Sequence, residues 1–315
     1  MKVTTLVAAL PVVAALLTPA PSTAQRRPRP SVTDDASGTP APTLENLQQI
    51  VPRLHSSNPD EVREAIDLLS VIDHPDVIPP IAELLRSGQS DAITDRGLEA
   101  LRGLANPRAL DVLVEFSRHR RPAARRRAYQ AIAAIQDPRV ATLLEQGLRD
   151  SDRAVRGNCA SSLGALGAQR SVEVLFRAFD RGVVEAAAAL GKLGDSASVG
   201  RFSAHLGQQP LSVMLSGYEQ YLRRSDIDEA TKVQIVTRLG EVSGRAVREF
   251  LAQYLAQFPQ TAASPRRPAP RRGGSEQDER RSLRDVVQDT LRRIPVEGDT
   301  RRTTTVGTAT GGGAQ

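Results

Sequence analysis

Three stretches of this chain share one pattern, and the pattern dictates a stacked fold. "IDHPDVIPPIAELL" (72–85), "LANPRALDVLVEF" (104–116) and "IQDPRVATLLEQGL" (135–148) each put an apolar residue three positions before a proline and a helical run after it. Ile72, Leu104, Ile135, Leu166 and Leu193 stand three residues ahead of Pro75, Pro107, Pro138, Gln169 and Ser196, at intervals of 32, 31, 31 and 27 residues. A second apolar set, Leu69, Leu101, Ile132, Leu163 and Leu190, leads the first by three. A fixed period in this range is the mark of a repeat array.

Each unit reads as two helices. The first, as in "RPAARRRAYQAIAAI", sets Ala124, Ala128, Ile132 and Ile135 at helical spacing. The second opens at the proline. Asn106 and Asp137 suit the N-cap, and Pro107 and Pro138 suit the first helical position, where a missing N–H costs nothing. Apolar residues then fall three and six places past the anchor: Leu110 and Leu113, Ala141 and Leu144, Val172 and Leu175, Val199 and Phe202. That is one face of a helix. A hairpin of this size cannot bury its face alone, so the units must stack. No sustained alternation signals a strand, and a Trp-free core of Ala, Leu, Val and Ile suits thin helical layers. The expected fold is all-α, an α-solenoid over 43–257. Residues 43–55 form its N-terminal capping helix through Leu44, Leu47, Val51 and Leu54. Past 207 the rhythm loosens, with helices near 211–223, 228–241 and 245–257.

The flanks read differently. Residues 1–24 carry Lys2, the apolar run "LVAALPVVAALL" and small residues Ser22 and Ala24 at signal-peptidase spacing. The run is too short, and too broken by Pro11, to span a bilayer. A signal peptide is expected, hence an exported protein, periplasmic or secreted. Residues 25–42 and 258–275 are Pro- and Arg-rich and lack an apolar face, as expected of disordered linkers. Between the second linker and a disordered tail at 296–315, residues 276–295 place Leu283, Val287, Leu291 and Ile294 on the stripe of a short amphipathic helix. The +6 net charge comes from the ends: 44–257 hold 27 basic and 27 acidic residues. A basic balance confined to tails is weak support for nucleic-acid binding.

The stretch "SDRAVRGNCASSLGALG" (151–167), followed by "AQRSVEVLFRAF" (168–179), resembles the HEAT-like repeat family in its short bacterial form, also found in phycobilisome lyases. Asp152, the pair Val155–Arg156, the small residues after it, then Leu163 and Leu166 carry the resemblance. It covers 58–207 well and 208–257 loosely. It implies an α-solenoid that binds other proteins, and it implies no catalytic residue.

Catalytic signals are thin. His55, His74, His119 and His205 form no HxxxH or HExxH pair, so no metal site is expected. Cys159, the one cysteine, lies four residues from both Val155 and Leu163 and reads as a small buried hydrophobe. "DHPDV" (73–77) contains His-Pro-Asp, but it fills the turn slot held elsewhere by "ANPRA" and "QDPRV". "GDSAS" (194–198) also coincides with a turn. No cofactor motif occurs.

Two surface features remain. Arg108, Arg139 and Arg170 each follow an anchor and should line up at the starts of successive second helices, where cations oppose the helix dipole and call for compensation. Pairing with acids of neighbouring turns is one answer, and capture of a carboxylate-bearing partner is the other. The run "RHRRPAARRR" (118–127) crowds Arg118, Arg120, Arg121, Arg125, Arg126 and Arg127 into a basic patch, either a solvated ridge or a dock for an anionic partner. The reading is a non-enzymatic scaffold whose concave face, lined by second helices, holds a protein or peptide with an acidic segment. The contacts would be Arg108, Asp111, Glu115, Arg139, Arg170, Glu173 and Arg177. Peripheral contact with a membrane or cell-wall polymer is kept open. No nucleic acid is expected, because the chain is read as exported and few aromatics interleave the arginines. The alternatives are a bilin lyase or isomerase, suggested by the resemblance alone, and a DNA-binding helical-repeat protein.

Overall fold

The computed structural model describes residues 43–242, 244–258 and 282–295. The signal peptide at 1–24, the linker at 25–42, the tail at 296–315, residues 259–275 of the second linker and residues 276–281 of the terminal helix lie outside the described residues.

The chain enters through a 3-10 turn (Leu44–Asn46), α1 (Leu47–Ile50) and a second 3-10 turn (Val51–His55) that buries Leu54. The expected capping helix is therefore broken, at the segment where Pro52 withholds an N–H. Two interleaved series follow. First helices are α2 (Pro59–Val71), α4 (Asp91–Leu104), α6 (Pro122–Ala134), α8 (Arg153–Leu166), α10 (Ala186–Leu193) and α12 (Leu211–Arg223). Second helices are α3 (Ile78–Arg86), α5 (Leu110–Phe116), α7 (Arg139–Gly147), α9 (Val172–Asp180), α11 (Ser196–Ser203) and α13 (Glu229–Val242). The last elements are α14 (Arg245–Ala256) and α15 (Leu283–Arg293). Each first helix packs on the next in sequence order, α2 on α4 through to α10 on α12, so the expected α-solenoid is what forms. No strand occurs among the described residues; a single isolated bridge joins Leu206 and Gln209. Among them, no helix is long and apolar enough to cross a membrane.

The periodic positions form the core. Leu69, Leu101, Ile132, Leu163 and Leu190 are all fully buried, as are Leu113, Leu144, Leu175 and Phe202 from the second helices. One anchor departs from the pattern: Leu166 is 44% exposed. Helix α8 ends at Leu166 before a left-handed Gly167 (φ 73°), as α4 ends at the buried Leu104 before a left-handed Ala105 (φ 48°), but here Ala168 packs toward the core and Leu166 does not. Pro75 and Pro107 open a tight turn ahead of the α-helix, while Pro138 is the N-cap of α7 itself. Pro75–Val77 and Pro107–Ala109 are 3-10 turns leading into α3 and α5. They are capped as expected: Asn106 Oδ1 accepts from Arg108 N at 3.0 Å, and Asp137 Oδ1 accepts from Arg139 N at 2.8 Å.

The two rows of helices close differently. A Cβ on Gly191 of α10 would sit 2.2 Å from the Gly217 carbonyl oxygen of α12, and one on Gly164 of α8 would sit 2.9 Å from Ala189 Cα of α10. The later first helices therefore meet backbone to backbone. The second helices are joined mainly by side chains.

Helix α15 docks on α13 and α14. Leu283, Val287, Thr290 and Ile294 are buried, with Thr290 rather than Leu291 completing the stripe. Glu229 Oε1 accepts from Leu283 N at its N-terminus (2.9 Å), and Arg248 Nη1 donates to the carbonyls of Leu291 (2.7 Å) and Ile294 (2.9 Å) at its C-terminus. An anion at the start and a cation at the end complement the helix dipole.

Candidate functional site

Two of the three arginines that follow the anchors meet acids of their own or a neighbouring turn. Arg108 pairs with Asp76 one repeat earlier (3.2 Å). Arg139 pairs with Asp137 (3.0 Å) and stands 4.0 Å from Asp111 of the preceding repeat. Glu115 receives both Nε and Nη2 of Arg86 from across the repeat boundary, at 2.9 and 2.6 Å. Glu173 receives Arg201 (3.0 Å) from the following repeat. Most of the candidate contact residues thus tie successive second helices together. Arg170 and Arg177 are exposed, and neither has an acidic partner among the described residues.

The same face carries a cleft of about 550 Å³ between α9, α11 and the turn from α12 to α13. Val172, Phe176 and Leu193 give it an apolar lining, while Glu173, Asp195, Ser198, Arg201, Arg224 and Asp226 supply its polar lining. The Arg201 guanidinium lies 4.0 Å from the Phe176 ring centroid, a cation–π contact that fixes it while Glu173 holds its other side. Arg224 donates to the carbonyls of Gly191 (3.2 Å) and Gly194 and chelates Asp226 through Nε (2.9 Å) and Nη2 (2.5 Å). Ser198 Oγ hydrogen-bonds the Tyr221 hydroxyl at 2.8 Å. Burial raises that phenol to about 12, which keeps it neutral. Sequence reading found Glu173, took Ser198 only as part of a turn, and missed Arg201 and Arg224. The missed signal lay five places past the anchor, where Pro80, Val112, Leu143 and Val174 give way to Arg201.

The run 118–127 is a hub of ion pairs joining three repeats. Arg121 meets Asp91 (3.2 Å) and Asp95 (2.7 Å), and Arg127 also reaches Asp95 (3.3 Å). Arg126 stands 3.9 Å from Asp152. Arg125 chelates Asp150 with two bonds of 2.8 Å, and its Nη1 donates to the carbonyls of His119 and Arg120. The Arg125 and Asp150 side chains are only 12% and 9% exposed. Burial alone would raise the Asp150 carboxyl, but hydrogen bonds from Arg125 and from Asp152 N outweigh it and the net shift is downward. Only Arg118 and Arg120 of the six lack an acidic partner among the described residues, and both are exposed. His119 stacks on Phe116 and its Nδ1 accepts from Arg121 N.

The remaining sequence candidates have structural places. Cys159 is fully buried, and desolvation holds its thiol well above the ordinary range. In "GDSAS", Asp195 is the N-cap of α11, accepting from Ser198 N at 2.8 Å. His74 caps the turn at Pro75 by accepting from Asp76 N. No group of three metal-ligating side chains occurs among the described residues.

Residues 116–191, from the end of α5 into α10, match the family model described as HEAT repeats. The solenoid is built of HEAT-like repeats. Solved structures similar to it include a designed armadillo repeat protein at 16% identity, covering 79% of this chain and 100% of that one with a TM-score of 0.37. The complex of CpcE and CpcF of phycocyanin lyase from Nostoc sp. PCC7120 is also 16% identical, covering 84% and 100% with a TM-score of 0.40. A chain of a homology model of the full-length AP-3 complex in an intermediate open conformation is 14% identical with a TM-score of 0.48. That match covers 66% of this HEAT-like chain and under half, 46%, of its counterpart. No curated protein matches.

Proposed function

We propose that this HEAT-like solenoid is an exported, non-enzymatic scaffold that holds a protein or peptide partner against the face formed by its second helices. The cleft between α9 and α11 carries the proposal. It joins an apolar lining to a rim of charges already fixed by neighbours, and such a surface can accept a side chain without reorganising. Stacked helical repeats present extended surfaces of this kind. A structural reading suffices for each nucleophile candidate: Cys159 is buried and kept protonated, and Ser198 lies in the first turn of α11, its N–H donating to the Asp195 cap and its hydroxyl bonded to the Asp195 carbonyl and the Tyr221 hydroxyl. Export rests on residues 1–24 alone.

The test fills the cleft. Ala197 is exposed on α11 and lines it, so Ala197→Trp blocks the opening without touching the core. Crosslinked capture from the native envelope should recover proteins with the wild-type chain that the variant loses, at unchanged helical circular dichroism. Identical recovery from both chains would remove the cleft from the reading. Peptide sequencing of the mature N-terminus tests export, with a start near Gln25 expected.

A further inference from the structure

The bridge between Arg86 and Glu115 defines a slot that recurs along the second-helix face. Arg86 stands eleven places past its anchor Pro75, and Glu115 eight places past the next anchor, Pro107. Moving one repeat on, the same two positions hold Arg118 and Gln146. One further on, they hold Arg149 and Arg177. The backbone is equivalent in the second and third slots, where Arg118 N donates to Glu115 O and Arg149 N to Gln146 O, both at 3.1 Å, while Arg86 ends α3 itself. The slot that is closed by a carboxylate in the first pair of repeats thus has a neutral amide in the second and a second cation in the third.

Arg118, Arg149 and Arg177 are exposed, and no acidic side chain pairs with them among the described residues. The nearby acids are engaged elsewhere. Glu145 accepts from Ser171 (2.6 Å), Asp150 is chelated by Arg125, and Asp180 faces His205 (3.4 Å) and Arg201 (3.9 Å). The repeat register puts guanidinium groups without an acidic partner at these positions, and the first slot shows which anion fits such a position: a side-chain carboxylate held by two guanidinium nitrogens.

We infer that the two open slots, at Arg118 and at Arg149–Arg177, bind carboxylate side chains of an acidic, extended peptide segment. This rests on the protein-binding reading above and names the chemistry of the partner. Packed helices lie about 8–10 Å apart, and an extended chain rises about 3.3 Å per residue. Acidic residues at every third position would therefore meet successive slots.

The experiment is fluorescence anisotropy at low ionic strength with the full-length chain and a labelled peptide, GEGSEGSEG. Binding at least about tenfold tighter than that of GQGSQGSQG is expected, as carboxylate recognition requires. The double variant Arg149→Ala/Arg177→Ala should lose most of that advantage. Gln146→Glu/Arg177→Glu, which supplies each slot with an internal carboxylate, should lose it too while circular dichroism stays native. Equal binding of the Glu and Gln peptides overturns the inference, as does equal binding of the clustered peptide GSGEEEGSG. Binding of phosphatidylglycerol vesicles or inorganic phosphate through these arginines, with no peptide bound, overturns it in favour of a different anion. The two readings fail separately. If the peptide does not bind but Ala197→Trp still abolishes capture, the slots are wrong and the scaffold reading stands. If the peptide binds and Ala197→Trp captures like wild type, the cleft is wrong and the slots stand.

Discussion

Between first helices, Gly191 approaches Gly217 so closely that a single methyl would overlap a backbone oxygen. Between second helices, Arg86 reaches 29 residues along the sequence to grip Glu115 in water. The late first helices are thus sealed by shape and the early second helices by charge, and ion pairs such as Arg96–Asp67 and Arg127–Asp95 also join the early first helices. Shape seals do not tolerate substitution, because the neighbouring backbone cannot move aside. Exposed charge seals are weak, so their residues are free to change from repeat to repeat. The cleft and the open arginine slots lie on the second-helix row, where the charge seals are exposed.

Four measurements can break or sharpen this contrast. Gly191→Val should be the most damaging, lowering stability by about 3–5 kcal/mol in urea unfolding, since β-branched bulk is forced against the Gly217 carbonyl. Arg125→Ala comes next, at about 2–3 kcal/mol, because it strands the nearly buried Asp150 carboxylate. That loss should persist in high salt.

Acid should act more gradually. Hydrogen bonds from Arg102, Arg86 and Arg139 hold the carboxyls of Glu99, Glu115 and Asp137 below their usual range, and Asp150 is lowered as well. A carboxyl depressed by folding contributes its full stability above its unfolded value, near about 4, and loses it as pH falls through the folded value. The urea midpoint should stay level from about pH 7 to about pH 5 and then decline toward about pH 3. Asp228 is held at about 2 by the Ser196 hydroxyl and by the Thr231 hydroxyl and N–H, so its contribution should be the last to go.

The smallest effect belongs to the second-helix row. Glu115→Gln should cost less than about 1 kcal/mol at low salt and almost nothing at about 1 M NaCl. A large, salt-resistant loss there would mean that the two rows are sealed alike.

The repeat phrase made the fold legible because burial enforces it: every residue of the set beginning at Leu69 is fully buried. Leu166 escaped although it ends its helix just as the buried Leu104 does, so the apolar pattern alone did not mark it. The docking of α15 was half legible. Its stripe announced an apolar face, but nothing local could name Glu229 and Arg248, which lie 54 and 46 residues from the groups they hold. At the site, Arg108, Glu115 and Glu173 were visible as polar positions on a helical face. Their partners were not, because an ion pair across a repeat boundary depends on helix phase as well as period. Arg149 went unnoticed for the same reason: its role emerges only when Arg86 is seen gripping Glu115 one slot before.

Helix α15 leaves the array with a stopper that is not itself a repeat. Stacked hairpins have no intrinsic limit, and a bare last layer would invite a second molecule to continue the pile. Here the closing piece rejoins the body only after the intervening stretch 259–281 of the chain, so it is held by tethered proximity as well as by contact. One proteolytic cut in that stretch would leave the stopper held by its contacts alone.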